Sequence, residues 1–247
     1  MIPYTTRLYR WRCRRVLTLL PLAFFICLAL GVLPARAAQQ GPFDRLFGYQ
    51  ATAVKWHEFP LNMEKHWRRV LKAEQQSPCL QRDSACLSSV DAKQWQYLLS
   101  KAPSMDELTL LRSVNAFFNK FPVASDMQLY GKEDYWPTLA EFFRNRSGDC
   151  KAYTLAKYFA LRTLGMDAGK LRFVMVFQPA NMANHAVLAV ATTKGVYILD
   201  NNVRPIDLIQ TQEKCASRFI PMYMLNEQGR WNFGQDEAQL RAKYAKK

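Results

Sequence analysis

GDCKAYTLAKYFALRTLGMDAGKLRFVMVFQ, residues 148–178, contains the change of period on which the fold class turns. Between Cys150 and Leu164, Leu155, Ala156 and Phe159 share one face, and Gly165 supplies a C-terminal stop, so the spacing predicts a helix. After Gly169 the run LRFVMVFQ is rich in β-branched and aromatic residues. HAVLAVA (185–191), VYILD (196–200) and FIPMYML (219–225) follow, separated by turn signals. Helix therefore gives way to strand at about residue 170.

Upstream the chain reads as helical. Met63, Trp67, Val70 and Leu71 fall on one face of 62–76, with His66, Arg68, Arg69 and Lys72 elsewhere, which predicts an amphipathic surface helix. Asp91 to Ser100 predicts a short helix around Trp95, Leu98 and Leu99. Ser104-Met105-Asp106-Glu107 has a capping-box pattern, and Leu108, Leu111, Val114, Phe118 and Phe121 then repeat at helical spacing over about 105–120. Tyr135-Trp136-Pro137 leads into TLAEFFRN (138–145), with the proline suited to the first turn. Helices first and strands afterwards predict an α+β domain, its helical N-terminal half packed on an antiparallel sheet.

Five arginines and no acid lie in residues 7–15, an apolar run extends from Val16 to Leu33, and Ala35-Arg36-Ala37 gives a small-x-small cleavage pattern. Residues 1–37 are expected to be a signal peptide and 38–247 a single exported domain, with an uncleaved membrane anchor as the alternative. Losing this segment removes six arginines and takes the formal charge from +14 to +8. The remaining basic residues are scattered among acids, which argues against nucleic acid as a partner.

Cys79, Cys86, Cys150 and Cys215 remain after the leader, in a compartment expected to be oxidising. Cys79 and Cys86 flank a short polar stretch and are expected to form a local disulfide. A bond between Cys150 and Cys215 is the structural rival to a reactive Cys150. At a helix start, unpaired N–H groups and the macrodipole favour a thiolate, and the same N–H groups suit a tetrahedral oxyanion. A thiol nucleophile also needs a base. The chain has three histidines: His66 looks like a solvated helix position, His57 lies in an early loop-like stretch, and His185 opens a strand. If strands 186–191 and 196–200 pair around a four-residue loop, His185 falls opposite Asn202 with Asp200 diagonally across on the same face. An odd loop would put Asp200 on the other face. HExxH, paired CxxC and GxSxG are all absent, leaving little support for metal or serine chemistry.

Several motifs occur together in order: Asp134-Tyr135-Trp136, Glu141-Phe142, Gly148-Asp149-Cys150, Ala156-Lys157-Tyr158, the His185 strand, Leu199-Asp200-Asn201 and Pro221 to Trp231. Over about Leu108 to Trp231 the chain resembles the bacterial transglutaminase-like cysteine proteinases, the LapG-type periplasmic proteases that release large surface adhesins. The resemblance implies a papain-like, transglutaminase-like fold with Cys150 as nucleophile, His185 as general base and then acid, and Asp200 orienting the imidazole. It also implies cleavage of an Ala/Gly-containing linker near an adhesin N-terminus, and inhibition by an inner-membrane cyclic-di-GMP receptor. Trp136 is expected at the substrate cleft. Members commonly carry two acids after the Asp-Cys pair and bind calcium there, whereas this chain has Lys151 and Ala152; Asp149 remains as a calcium ligand of a degraded site, and no cofactor is expected to be required. A transglutaminase-like acyl transferase and a non-catalytic adhesin- or receptor-binding member remain as alternatives.

Overall fold

Side-chain alternation along LRFVMVFQ and HAVLAVA sends successive residues into two different cores. Phe173, Leu188, Val190 and Leu199 pack against helices, while Val174, Val187, Ala189 and Ile198 pack on the opposite side with Phe43, Phe47 and Phe219. Both faces of these strands are thus covered, which explains why they read as nearly continuous apolar runs.

The computed structural model describes residues 41–80 and 86–245. The expected signal peptide, residues 1–37, lies outside the described residues. Short strands β1 (Arg45–Leu46), β2 (Tyr49–Gln50) and β3 (Thr52–Ala53) precede helices α1 (Leu61–Gln76), α2 (Ser89–Lys101), α3 (Glu107–Asn119), α4 (Asp126–Tyr130), α5 (Leu139–Asn145) and α6 (Cys150–Thr163). Then come β4 (Leu171–Gln178), β5 (Ala183–Thr192), β6 (Gly195–Leu199), β7 (Ile209–Thr211), α7 (Gln212–Cys215), β8 (Ile220–Leu225), β9 (Arg230–Asn232) and α8 (Glu237–Tyr244). The main sheet has the order β3-β9-β8-β4-β5-β6-β7, and its neighbouring strands pair antiparallel. Among the described residues no helix is long and apolar enough to cross a membrane.

The helices follow the expectations with changes of detail. The 62–76 helix is amphipathic as expected, with Arg68, Arg69 and Lys72 exposed, but its apolar face reaches deep: Trp67 is fully buried and packs edge-on against Tyr158 and face-on against Phe159 of α6. The cap of α3 is Asp106, which accepts from the N–H groups of Leu108 and Thr109, because a 3-10 turn over Ala102–Ser104 takes Ser104 out of the capping position. Pro137 precedes the first turn of α5, whose cap is Thr138 in a reciprocal box with Glu141. Helix α4 was not foreseen, although Ser125 and Gln128 form a capping box and Gly131 ends the helix at positive φ.

Candidate active site

Helix α6 begins with the expected thiol. Asp149 caps it by accepting from the N–H of Ala152, and a Cβ on Gly148 would meet that of Ala152 at 2.5 Å, so the approach to the helix requires glycine. Cys150 is half-buried at the first position of the helix.

The β5–β6 turn sets the partner of His185. Thr192 pairs with Gly195 and Leu188 with Leu199, so the connection is a two-residue turn rather than four, but its even length preserves the register. Asp200 follows directly after β6, and its Oδ1 lies 2.8 Å from Nε2 of His185, both side chains being buried. The Cys150 side chain lies close enough to the same imidazole to raise its pKa. Burial by itself would lower the His185 pKa; the bond to Asp200 and the nearby Cys150 outweigh it and raise the value to about 9. Burial would likewise raise Asp200, but His185 and the N–H of Asn202, 2.8 Å from Oδ1, hold the carboxyl below its ordinary range.

Two further residues fix Asp200 that the sequence did not reveal. Arg218 Nη2 donates to Oδ2 at 2.9 Å, and Asn119 Nδ2 donates to the Asp200 carbonyl at 2.9 Å. Neither has a local signal, since the first arrives through the β7–α7 segment and the second from α3. Lys157, buried within α6, also feels Asp200; burial pushes its pKa down to about 7. Arg218→Ala is expected to lower kcat about tenfold, the worth of one charge-assisted hydrogen bond, with KM little changed. Steady-state kinetics of the variant check this.

Cys79 and Cys86 are disulfide-bonded as expected, with Cα atoms 5.5 Å apart. Cys150 and Cys215 are both free thiols. Cys215 is buried, and burial raises its pKa to about 11. His57 is largely exposed. His66 is less solvated than expected: it stacks on Trp136 and approaches Asp134 Oδ2 at 3.8 Å. Trp136 is 1% exposed and stacks on Phe173 at 4.7 Å, yet its edge helps to line a cleft of about 380 Å³ that also meets Met63, Lys151, Met175, Asn184 and Met222. Lys151 and Asn184 are the chain neighbours of Cys150 and His185, but neither Cys150 nor His185 lines the cleft itself.

The surroundings of Asp149 do not fit a bound divalent cation. The Lys151 ammonium contacts Asp149 Oδ2, lies 2.9 Å from Asp126 Oδ2 and 3.7 Å from Asp134 Oδ1. Burial alone would lower its pKa, but Asp149 and Asp126 hold it well above the ordinary lysine range. Among the described residues no group of three or more His, Cys, Asp or Glu is arranged to hold a metal ion.

A helix-start thiol near a carboxylate-bound imidazole, in a fold of helices packed on an antiparallel sheet, is the arrangement of a papain-like thiol hydrolase. The chain belongs to the bacterial transglutaminase-like cysteine proteinase family (BTLCP), whose model matches residues 75–238, and it is a cysteine peptidase acting on protein. Its fold is similar to that of calcium-bound LapG from Legionella pneumophila: TM-score 0.50 and 22% identity, covering 72% of this chain and 97% of that one. The EGTA-treated form of that protein gives TM-score 0.50 and 22% identity over 72% and 96% of the respective chains. None of the curated proteins matches significantly.

Proposed function

We propose that the protein is an exported endopeptidase in which Cys150, His185 and Asp200 form the catalytic triad. The observation that carries this reading is the buried His185–Asp200 bond at 2.8 Å, on an imidazole that also feels the helix-start thiol of Cys150. With a pKa near 9, His185 is protonated at neutral pH, so the proton that the leaving amine needs is already on the imidazole. The sulfur attacks the scissile carbonyl carbon. The N–H of Cys150, which has no acceptor within its own helix, stabilises the oxyanion. Collapse of the tetrahedral species breaks the C–N bond, and the leaving amine takes the proton from His185. His185 then removes a proton from water, whose oxygen displaces the thiolate from the thioester. Asp200 keeps the imidazole oriented and compensates its charge throughout.

The family resemblance supports a large repeat-rich adhesin as substrate, cut at an Ala/Gly-containing linker, so that the peptidase governs surface attachment and biofilm formation. The leader-like residues 1–37 support a periplasmic location, where an inner-membrane cyclic-di-GMP receptor would sequester the enzyme. Incubating the protein with N-terminal adhesin fragments that carry such linkers should yield two peptides whose summed mass exceeds the substrate by one water. Cross-linked products lacking ammonia would instead establish transamidation, and an intact fragment would reject this substrate class.

A further inference from the structure

Three acidic side chains from separate parts of the chain converge on one ammonium beside the nucleophile. Asp126 comes from the start of α4, Asp134 from the loop before α5, and Asp149 caps α6. The Lys151 side chain is 13% exposed and Asp126 only 3%, so both lie largely out of water. Asp126 accepts from the N–H of Tyr135 at 2.9 Å through the same oxygen that faces Lys151, and its other oxygen, Oδ1, is buried with no hydrogen-bond partner. Without a cation, the buried Asp126, the largely buried Asp149 and the partly exposed Asp134 would bring like charges together in a place that is poorly solvated for the first two, which is unfavourable. Calcium, a hard cation that takes several carboxylate and carbonyl oxygens, is the usual mobile solution to that problem. Here the chain supplies the cation itself, on a side chain one residue from Cys150.

We propose that Lys151 is a tethered cation that replaces calcium at the head of the nucleophile helix. It binds α4, the 134 loop and the Asp149 cap to one another without a metal, and a divalent-cation site appears only when the ammonium is removed. A covalently attached charge cannot dissociate, so the order of this corner is independent of calcium concentration. Alanine at 151 leaves three carboxylates around the vacated space, and aspartate adds a fourth.

The test uses purified protein, with thermal unfolding and isothermal calorimetry against calcium chloride, and no readout depends on the triad or the substrate. Wild type should unfold at the same temperature in millimolar calcium and in EGTA, with no heat of binding. Lys151→Ala and Lys151→Asp should unfold lower in EGTA and be raised by about 3 °C or more in calcium, with a measurable binding heat. Calcium binding or calcium stabilisation of wild type would overturn the proposal. So would the absence of a calcium response in both variants, including the case in which neither folds in either medium, because the ion should restore the missing charge.

Discussion

Cys150→Ala is expected to abolish peptide hydrolysis, lowering kcat by on the order of a million-fold, as loss of a nucleophile does in triad hydrolases. Among the described residues the only other free thiol, Cys215, is buried in the core on the opposite sheet face and held protonated by burial. Stability should hardly change, because Cys150 is half-buried and the substitution removes a single sulfur atom. An unfolding midpoint within about 3 °C of wild type is the expected companion result. Cleavage assays on an adhesin fragment, followed by mass analysis, check the first expectation and thermal denaturation the second. Residual hydrolysis within a hundredfold of wild type would remove Cys150 from the chemistry.

Asp200→Asn is expected to lower kcat about 10,000-fold, since an amide neither compensates an imidazolium nor enforces the required tautomer. Its pH signature separates this role from a structural one. Burial pulls the His185 pKa down and the carboxylate opposes it, so removing the carboxylate shifts the value downward from about 9. Activity depends on protonated His185 and is lost as pH rises through that value; the alkaline limb should therefore move to lower pH in the variant. Stability follows the same sign. A folded-state pKa raised above 6.5 contributes stability that is complete below pH 6.5 and disappears by about pH 9. Asp200→Asn should flatten that part of the wild-type stability profile. The rate of Cys150 alkylation by iodoacetamide against pH, and urea unfolding across the same range, measure both effects. An unmoved alkaline limb would show that Asp200 does not set the His185 charge.

Local chemistry made much of this legible. Period and turn residues located α6, β4, β5, β6 and β8 to within a few residues, because helical and pleated faces impose different spacings on apolar side chains. The even β5–β6 connection placed His185 and Asp200 on one face even though the turn proved shorter, since parity, not length, decides the face. The 62–76 helix was recognised with its two faces, Arg68, Arg69 and Lys72 outward and Met63, Trp67 and Val70 inward, but not the partners that Trp67 meets. Those partners depend on what packs against the helix, which its own sequence does not state.

The sequence by itself determined the α+β order, the helix-start thiol, the short list of bases and the Cys79–Cys86 loop, all of which rest on neighbours in the chain. Only the tertiary structure brought Arg218 and Asn119 to Asp200, left Cys150 and Cys215 unbonded, and gathered Asp126, Asp134 and Asp149 around Lys151. These are long-range meetings of charged and polar groups, governed by burial and distance rather than by spacing along the chain. Lys151 shows the difference: in the sequence it is a lost acid beside Cys150, and in the fold it is the cation that the surrounding acids require.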